Sequence, residues 1–205
     1  MNRVWAVVPA KPLGLGKSRL ACVLSGRERR ALNTRLLRHV LDVVIAAVGA
    51  PRTVVVSRDP AVLALARTLG AQPLHERAPA DLNRALRQGA DRAERGGARA
   101  VLVVFGDLPH LTVDDVTRMI ALAGGAPGVV AAADRARAGT NALLVAPPDA
   151  IAFRFGPRSL TRHRREARRH GRRWRVVEAP GLAFDVDRPA DWRALSARPR
   201  ARPGR

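Results

Sequence analysis

The 205-residue sequence has one cysteine, no tyrosine and few aromatic residues. A single cysteine, Cys22, excludes an intrachain disulfide, and without CxxC or HxxxH spacing it excludes a structural zinc cluster, so we interpret it as a packing residue. No apolar run approaches the ~20 residues of a membrane-spanning helix, and the first strand starts too early for a signal peptide. We therefore expect a cytoplasmic protein with no membrane partner.

Acidic residues are also scarce, and the formal net charge is +20. Such a charge favours a polyanionic partner such as nucleic acid. Proteins that bind single strands usually add aromatic side chains for base stacking, but aromatics make up only 3% here. Nucleic-acid binding stays open as an alternative, but we do not expect it as the main function. The chain length predicts one domain, residues 1–192, followed by a basic, disordered tail, residues 193–205.

Short apolar runs alternate with amphipathic segments along the chain. This alternation predicts an α/β fold with an open, mostly parallel, doubly wound sheet, in which ligands bind at the carboxyl ends of the strands. The predicted strands are residues 4–8, 53–57, 101–105, 128–133 and 142–146, and the predicted helices are 27–48, 61–69, 82–94, 112–123 and 160–170.

The loop after the first predicted strand holds both lysines of the chain, Lys11 and Lys17, whereas the other 35 basic residues are arginine. It ends in Gly-Lys-Ser, but a Walker A loop requires glycine where Lys11 stands, so we exclude a P-loop ATPase. Two ammonium groups, Arg19 and flexible glycines in one loop indicate a binding site for a triphosphate. The alternative is a solvated loop.

Aspartates follow the apolar strands at two places. Asp107 comes directly after the strand 101–105 and Gly106, which is a position typical of a metal ligand; its alternative role, a helix cap, is already filled by Thr112. Asp185 and Asp187 are two residues apart in an extended segment, so their carboxylates point to one face. Hard oxygen ligands of this kind fit Mg²⁺.

A third pattern combines Gly-Thr-Asn-Ala at 139–142 with Phe-Gly-Pro-Arg-Ser at 155–159. Thr140, Gly156 and Ser159 are small residues at the edge of a strand and the start of a helix, where a phosphate can bind. Ser159 as a plain cap of the helix 160–170 is the alternative. On that helix we interpret His163 and His170 as surface residues, since no carboxylate partner is visible in the sequence.

Taken together, these segments resemble the 2-phospho-lactate guanylyltransferase family (CofC type), whose members start the side chain of the deazaflavin coenzyme F(420). The resemblance extends over most of the chain and follows the family's order of motifs. The motifs are Pro-Ala-Lys…Lys-Ser-Arg-Leu at 9–20, Asp-Leu-Asn at 81–83, Gly-Asp-Leu-Pro at 106–109, Gly-Thr-Asn-Ala at 139–142, Phe-Gly…Ser at 155–159 and Asp-Val-Asp-Arg-Pro at 185–189.

The resemblance implies a nucleotidyltransferase fold of the glycosyltransferase-A kind and assigns a role to each segment. GTP would be bound by Lys11, Lys17 and Arg19, with the region of Asn83 near the guanine. Mg²⁺ would be held by Asp107, Asp185 and Asp187, and the phosphorylated acid would meet Thr140, Gly156 and Ser159. The resemblance also implies a downstream deazaflavin transferase that receives the product; a homodimer is left open.

The expected reaction is attack by a phosphate oxygen of the acid on the α-phosphorus of GTP, with release of pyrophosphate. Lys17 and Asp107 are the expected catalytic residues, acting by positioning and electrostatics. The sequence does not choose among 2-phospho-L-lactate, phosphoenolpyruvate and 3-phospho-D-glycerate. Another nucleotidyltransferase of the same fold, acting on molybdopterin or a sugar phosphate, is the nearest alternative function.

Overall fold

The computed structural model describes residues 3–197, which form a mixed seven-stranded sheet with helices on both faces. The strands are β1 (Val4–Pro9), β2 (Thr53–Ser57), β3 (Gln72–His75), β4 (Ala100–Val104), β5 (Gly128–Ala133), β6 (Thr140–Ala146) and β7 (Arg173–Val177). The α-helices are α1 (Gly26–Val48), α2 (Pro60–Thr68), α3 (Leu82–Arg95), α4 (Val113–Ala123), α5 (Ser159–Arg169), α6 (Pro180–Ala183) and α7 (Pro189–Ala197), and two short 3₁₀ turns cover Ser18–Leu20 and Ala50–Arg52.

The strands are ordered β3-β2-β1-β4-β6-β5-β7 across the sheet. β1 pairs in parallel with β2 and β4, β2 with β3, and β5 with β7, whereas β6 is antiparallel to both β4 and β5. One strand therefore runs against the other six. As a result, the amino end of β6 lies at the same edge of the sheet as the carboxyl ends of its neighbours.

Alternate residues of each central strand enter two different layers of the core, as the two-residue period of a strand requires. In β1, Val4 and Ala6 pack with α1 and α4, while Trp5 and Val7 pack with α3 and the segment around Phe153. Val8 joins a third cluster with α1 and α2. Both faces of the sheet are thus covered, and the predicted doubly wound α/β fold is confirmed.

The two edge strands, β3 and β7, were not predicted. β3 reads Gln-Pro-Leu-His and is only partly buried, and β7 begins Arg-Trp-Arg, so neither shows the apolar run that identifies a central strand. The interpretation of Cys22 as a packing residue is wrong, because its side chain is exposed.

The last helix, α7, continues to Ala197, so residues 193–197 of the expected tail are helical. The rest of that tail, residues 198–205, lies outside the described residues. Within the described range, none of the helices combines the length and the apolar character needed to cross a membrane.

Candidate active site

A cleft of about 660 Å³ opens at the edge of the sheet where β1, β2, β3 and β4 end. Its walls come from the loop after β1, the residues that follow the other three strands, and the start of α3. The charged side chains that line it are Lys11, Lys17, Arg19, Arg58, Glu76, Asp81, Asp107 and Asp187.

The strand order arranges several of these residues along one line. Glu76 follows β3, Arg58 follows β2, the two lysines follow β1, and Asp107 lies three residues after β4. Beyond β4 the next strand is the antiparallel β6, whose first residue, Thr140, lies at the same edge. The strand order thus places the loop with the two lysines and the strand that begins with Thr140 on opposite sides of β4, the strand that precedes Asp107.

Lys17 and Asp107 form an ion pair in this cleft. The ammonium nitrogen of Lys17 lies 2.9 Å from a carboxylate oxygen of Asp107, and the Lys17 side chain is 6% exposed. Lys17 adopts a left-handed backbone conformation, with φ 60°, which is uncommon for a residue other than glycine. The loop therefore turns the ammonium group inward rather than into solvent.

The backbone of Leu13 anchors the loop that carries both lysines. The carboxylate of Asp59 accepts a hydrogen bond from the Leu13 amide at 2.8 Å, and the carboxamide of Asn33 donates to the Leu13 carbonyl at 2.8 Å. Asp59 also caps α2 through the amide of Ala61 at 2.9 Å. The loop is in this way fixed to α1 and α2.

Asp185 lies close enough to Asp107 and Lys17 to interact with the charges of both. Its pKa is raised from the ordinary value, first by burial and then by the negative charge of Asp107. The Asn141 carboxamide donates to Asp185 at 3.4 Å, and the Val186 amide donates to the Asp107 carbonyl at 3.2 Å. Two carboxylates facing each other near a lysine form an oxygen-rich set suited to a hard cation.

Asp187, the third predicted metal ligand, has a different neighbour: its carboxylate pairs with the guanidinium group of Arg19. The loop that carries Asp185 and Asp187 is held by Asp191, whose carboxylate accepts from the amides of Asp187 at 3.1 Å and Arg188 at 2.8 Å. Within residues 3–197, histidine, cysteine, aspartate and glutamate side chains nowhere form a group of three that could hold a metal ion.

The predicted acid-binding residues lie around a buried hydroxyl pair. Ser159 Oγ donates to Thr140 Oγ1 at 3.1 Å, and both residues are buried. Ser159 is the first residue of α5 and not its cap; the cap position is Arg158, which makes no side-chain capping bond. The alternative role of Ser159 as a plain helix cap is therefore wrong. Gly156, just before this helix, has a φ of 118° that favours glycine.

His163 completes this cluster, and its interpretation as a surface residue is wrong because it is fully buried. Nε2 accepts from the Arg154 amide at 2.9 Å, and Nδ1 lies 3.4 Å from Thr140 Oγ1. The pKa of His163 is lowered to about 4, first by burial and then by the charges of Arg162 and Arg154. The sequence signal for this role was present in the period of α5, because His163 and Ala167 share the buried face.

Asn83 lies next to the cleft but uses its side chain elsewhere. Its carboxamide oxygen accepts from the Phe155 amide at 2.7 Å, and its nitrogen donates to the Phe155 carbonyl at 3.2 Å. Its neighbours Asp81 and Leu82 do line the cleft. The structure therefore places the region of Asn83 at the predicted site, with Asn83 itself holding the segment before Gly156.

Arg58 and Glu76 line the cleft but were not predicted as site residues. Arg58 directly follows a predicted strand, so the rule that ligands bind at strand ends could have identified it. Glu76 follows β3, which the apolar pattern did not reveal.

The overall fold is similar to that of a putative nucleotide-diphospho-sugar transferase from Desulfovibrio desulfuricans. The TM-score is 0.73 at 15% sequence identity, and the match covers 95% of this chain and 87% of that chain. This likeness shows that the two proteins share a fold, a mostly parallel sheet covered by helices on both faces, as predicted.

Sequence relatives identify the family. The family model described as "Guanylyl transferase CofC like" matches residues 4–196, so the chain belongs to this family and is a nucleotidyltransferase. A phosphoenolpyruvate guanylyltransferase of Rubrobacter xylanophilus is 46% identical over 194 residues, covering 95% of this chain and 94% of the relative. A 3-phospho-D-glycerate guanylyltransferase of Phenylobacterium zucineum is 41% identical over 182 residues, covering 87% and 83%.

Proposed function

We propose that this enzyme joins GMP from GTP to the phosphate of phosphoenolpyruvate and releases pyrophosphate. The observation that carries the proposal is the position of the Lys17–Asp107 pair, at the β4 end of the cleft and next to β6, which carries Thr140 of the Thr140–Ser159 pair. A nucleotide in the cleft and an acid at β6 would meet at this pair. The relative of Rubrobacter xylanophilus supports phosphoenolpyruvate as the acid.

The chemistry needs no nucleophile from the protein, because the phosphate of the acid is ionised near neutral pH. One of its oxygens forms a bond to the α-phosphorus of GTP, and the bond from that phosphorus to the bridging oxygen breaks, so that pyrophosphate takes the electron pair. Lys17 and Lys11 would balance the charge on the α-phosphate and on the leaving pyrophosphate, and Arg19 would contribute at the open side of the cleft.

Asp107 and Asp185 fit Mg²⁺, because their carboxylates supply hard oxygen donors close to each other. Burial first, and then the negative charge of Asp107, raises the pKa of Asp185. Mg²⁺ commonly takes one or two carboxylates and completes its shell with water and substrate phosphates. Asp187 is proposed as a third ligand, and this role requires its carboxylate to leave Arg19. When bound, Mg²⁺ would neutralise phosphate charge and align the two phosphates.

Thr140, Gly156 and Ser159 are proposed to hold the phosphorylated acid. The hydroxyls of Thr140 and Ser159 are fixed by each other and by His163, so a phosphate meets preset hydroxyl groups.

GTP and phosphoenolpyruvate are both metabolites of the cytoplasm, where we place the reaction. A deazaflavin transferase that takes the guanosine diphospho-acid onward is the proposed partner.

The test is pyrophosphate release from GTP and Mg²⁺ with phosphoenolpyruvate, 3-phospho-D-glycerate and 2-phospho-L-lactate supplied separately. ATP and CTP serve as nucleotide controls, and a deazaflavin acceptor system traps the product. We expect release with GTP and phosphoenolpyruvate. Release with 3-phospho-D-glycerate alone would show that this acid, and not phosphoenolpyruvate, is the substrate. The Phenylobacterium zucineum relative supports it as the second candidate. No release with any of the three would refute the proposed reaction.

A further inference from the structure

Two charged residues in the cleft have no role in the proposed chemistry. Arg58 directly follows β2 and Glu76 directly follows β3, and both line the cleft. Within residues 3–197, neither side chain forms a hydrogen bond or an ion pair. The backbone beneath Glu76 is fixed, because its amide donates to the Ser57 carbonyl at 3.0 Å. A cation and a carboxylate are thus presented on neighbouring strand ends without a protein partner.

Their place along the sheet sets which part of a nucleotide they can reach. Neighbouring strands are about 4.8 Å apart, so the end of β3 lies roughly 10 Å from the end of β1. The ribose separates a base from its α-phosphate by a similar span. When the phosphates contact Lys17 at β1 and the acid lies beyond β4, the base points toward β2 and β3.

We infer that Glu76 and Arg58 recognise the guanine base of GTP, an assignment that rests on the proposed function. Guanine donates two hydrogen bonds on one edge, from N1 and from its 2-amino group, and a carboxylate accepts both. On the adjoining edge guanine presents two acceptors, O6 and N7, and an arginine side chain can donate a hydrogen bond to each. Leu82 and Ala85 supply apolar surface of the same cleft for the ring.

The same pair excludes adenine. Adenine carries a lone pair at N1, which would face the Glu76 carboxylate, and an amino group in place of O6, which would face the Arg58 guanidinium. The Glu76 carboxylate and the Arg58 guanidinium would then have no hydrogen-bond partners on the base. A polar site rejects an analogue because leaving its own charged groups unpaired is energetically costly. Asn83 is less suited to this role because Phe155 already engages both ends of its carboxamide.

Two nucleotide analogues test the two residues separately. ITP lacks the 2-amino group and removes one hydrogen bond to Glu76, whereas 7-deaza-GTP lacks N7 and removes one hydrogen bond to Arg58. For the wild type we expect kcat/KM to fall about tenfold with each analogue, as for one hydrogen bond to a charged group. Glu76→Ala should bring the ratio of kcat/KM for GTP to kcat/KM for ITP near one. It should leave the corresponding ratio for GTP and 7-deaza-GTP unchanged. Arg58→Ala should show the reverse pattern.

Glu178→Ala is the matched control, because this exposed glutamate follows β7 at the opposite end of the sheet. It should leave both ratios at their wild-type values. The unfolding midpoints of all variants, measured by circular dichroism, should agree with the wild type, since none of the altered side chains is buried.

Dissociation constants of the same nucleotides, measured by calorimetry, separate this inference from the proposed function. If the wild type releases pyrophosphate but both variants keep wild-type ratios, the assignment of Glu76 and Arg58 is overturned while the proposed function stands. If GTP binds with the expected variant-specific ratios but no acid yields pyrophosphate, the proposed function fails and the base assignment stands. A wild type that treats GTP and ITP alike overturns the assignment of Glu76.

Discussion

The ammonium group of Lys17 is bound to the carboxylate of Asp107 across a distance of 2.9 Å, although 90 residues separate them in the chain. The loop keeps Lys17 in a left-handed conformation, which costs on the order of 1 kcal/mol for a residue with a side chain. The rest of the fold offsets this cost, because the anchors at Leu13 fix the loop on two helices. A positive charge is thereby held at the end of β4 before any substrate arrives.

Replacing Lys17 by methionine should reduce kcat about a hundredfold or more, since a charge preset for the transition state is lost. Lys11→Met is the matched comparison: Lys11 lines the cleft but forms no ion pair with Asp107, so we expect the substitution to raise KM for GTP more than it lowers kcat. Steady-state kinetics of pyrophosphate release measures both. Equal effects of the two substitutions on kcat would contradict a special role of Lys17.

Asp107→Asn should abolish nucleotidyl transfer while the fold is retained. The substitution removes the charge that faces Lys17 and Asp185 but keeps the backbone carbonyl that accepts from Val186. Asp114→Asn, on the exposed first turn of α4, is the control and should retain activity. Turnover and circular dichroism give the two readouts. Near-normal turnover of the Asp107 variant would remove this residue from the catalytic site.

Asp191→Ala should loosen the loop that carries Asp185 and Asp187. The carboxylate of Asp191 accepts two backbone amides of this loop and pairs with Arg135, so its loss should lower the free energy of unfolding by about 2 kcal/mol. We also expect a higher Mg²⁺ concentration for half-maximal activity. Arg135→Ala keeps the hydrogen bonds from the two backbone amides to Asp191, so it should lower the free energy of unfolding, measured with urea, by less. An equal or larger effect would show that the ion pair alone accounts for the loss and that the hydrogen bonds from the two amides contribute nothing measurable.

His163 should make the stability of the protein depend on pH between about 6.5 and 4. The folded protein holds His163 neutral down to a pKa of about 4, whereas the unfolded chain binds a proton below about 6.5. Stability from this group is therefore complete above pH 6.5 and falls by about 3 kcal/mol as the pH decreases to 4. Urea unfolding at several pH values measures this loss. His163→Phe should have a smaller slope over the same range, and an unchanged slope would exclude His163 as its cause.

The central part of the fold could be predicted from the sequence because its strands are buried on both faces. β1, β2, β4 and β5 appear as apolar runs, and Thr112 caps α4, as predicted, together with Asp115 in a capping box. Edge strands contact one neighbour only and need no such run, which explains why β3 and β7 were missed. The antiparallel direction of β6 could not be predicted from the hydrophobic pattern. A buried strand buries all its residues whether it is parallel or antiparallel to its neighbours.

The site was predictable where a residue follows a recognised strand. Lys17 and Asp107 were identified in this way, and the structure brings them together. The sequence could not predict that two of the site residues contact other protein groups. Asp187 pairs with Arg19, and Asn83 bonds the Phe155 backbone, and in both cases the partner is distant in sequence. His163 was misjudged because its partners are a backbone amide and a hydroxyl rather than a carboxylate.

The reversed strand β6 divides the chain between the two proposed substrates. Because its amino end lies at the same edge of the sheet as the cleft, the residues proposed to hold the acid, Thr140, Gly156 and Ser159, all come from one stretch of the chain. The proposed nucleotide residues all precede position 86, and Asp107 lies between the two stretches. Substitutions in this one segment would therefore change the acid preference and leave the proposed nucleotide residues untouched.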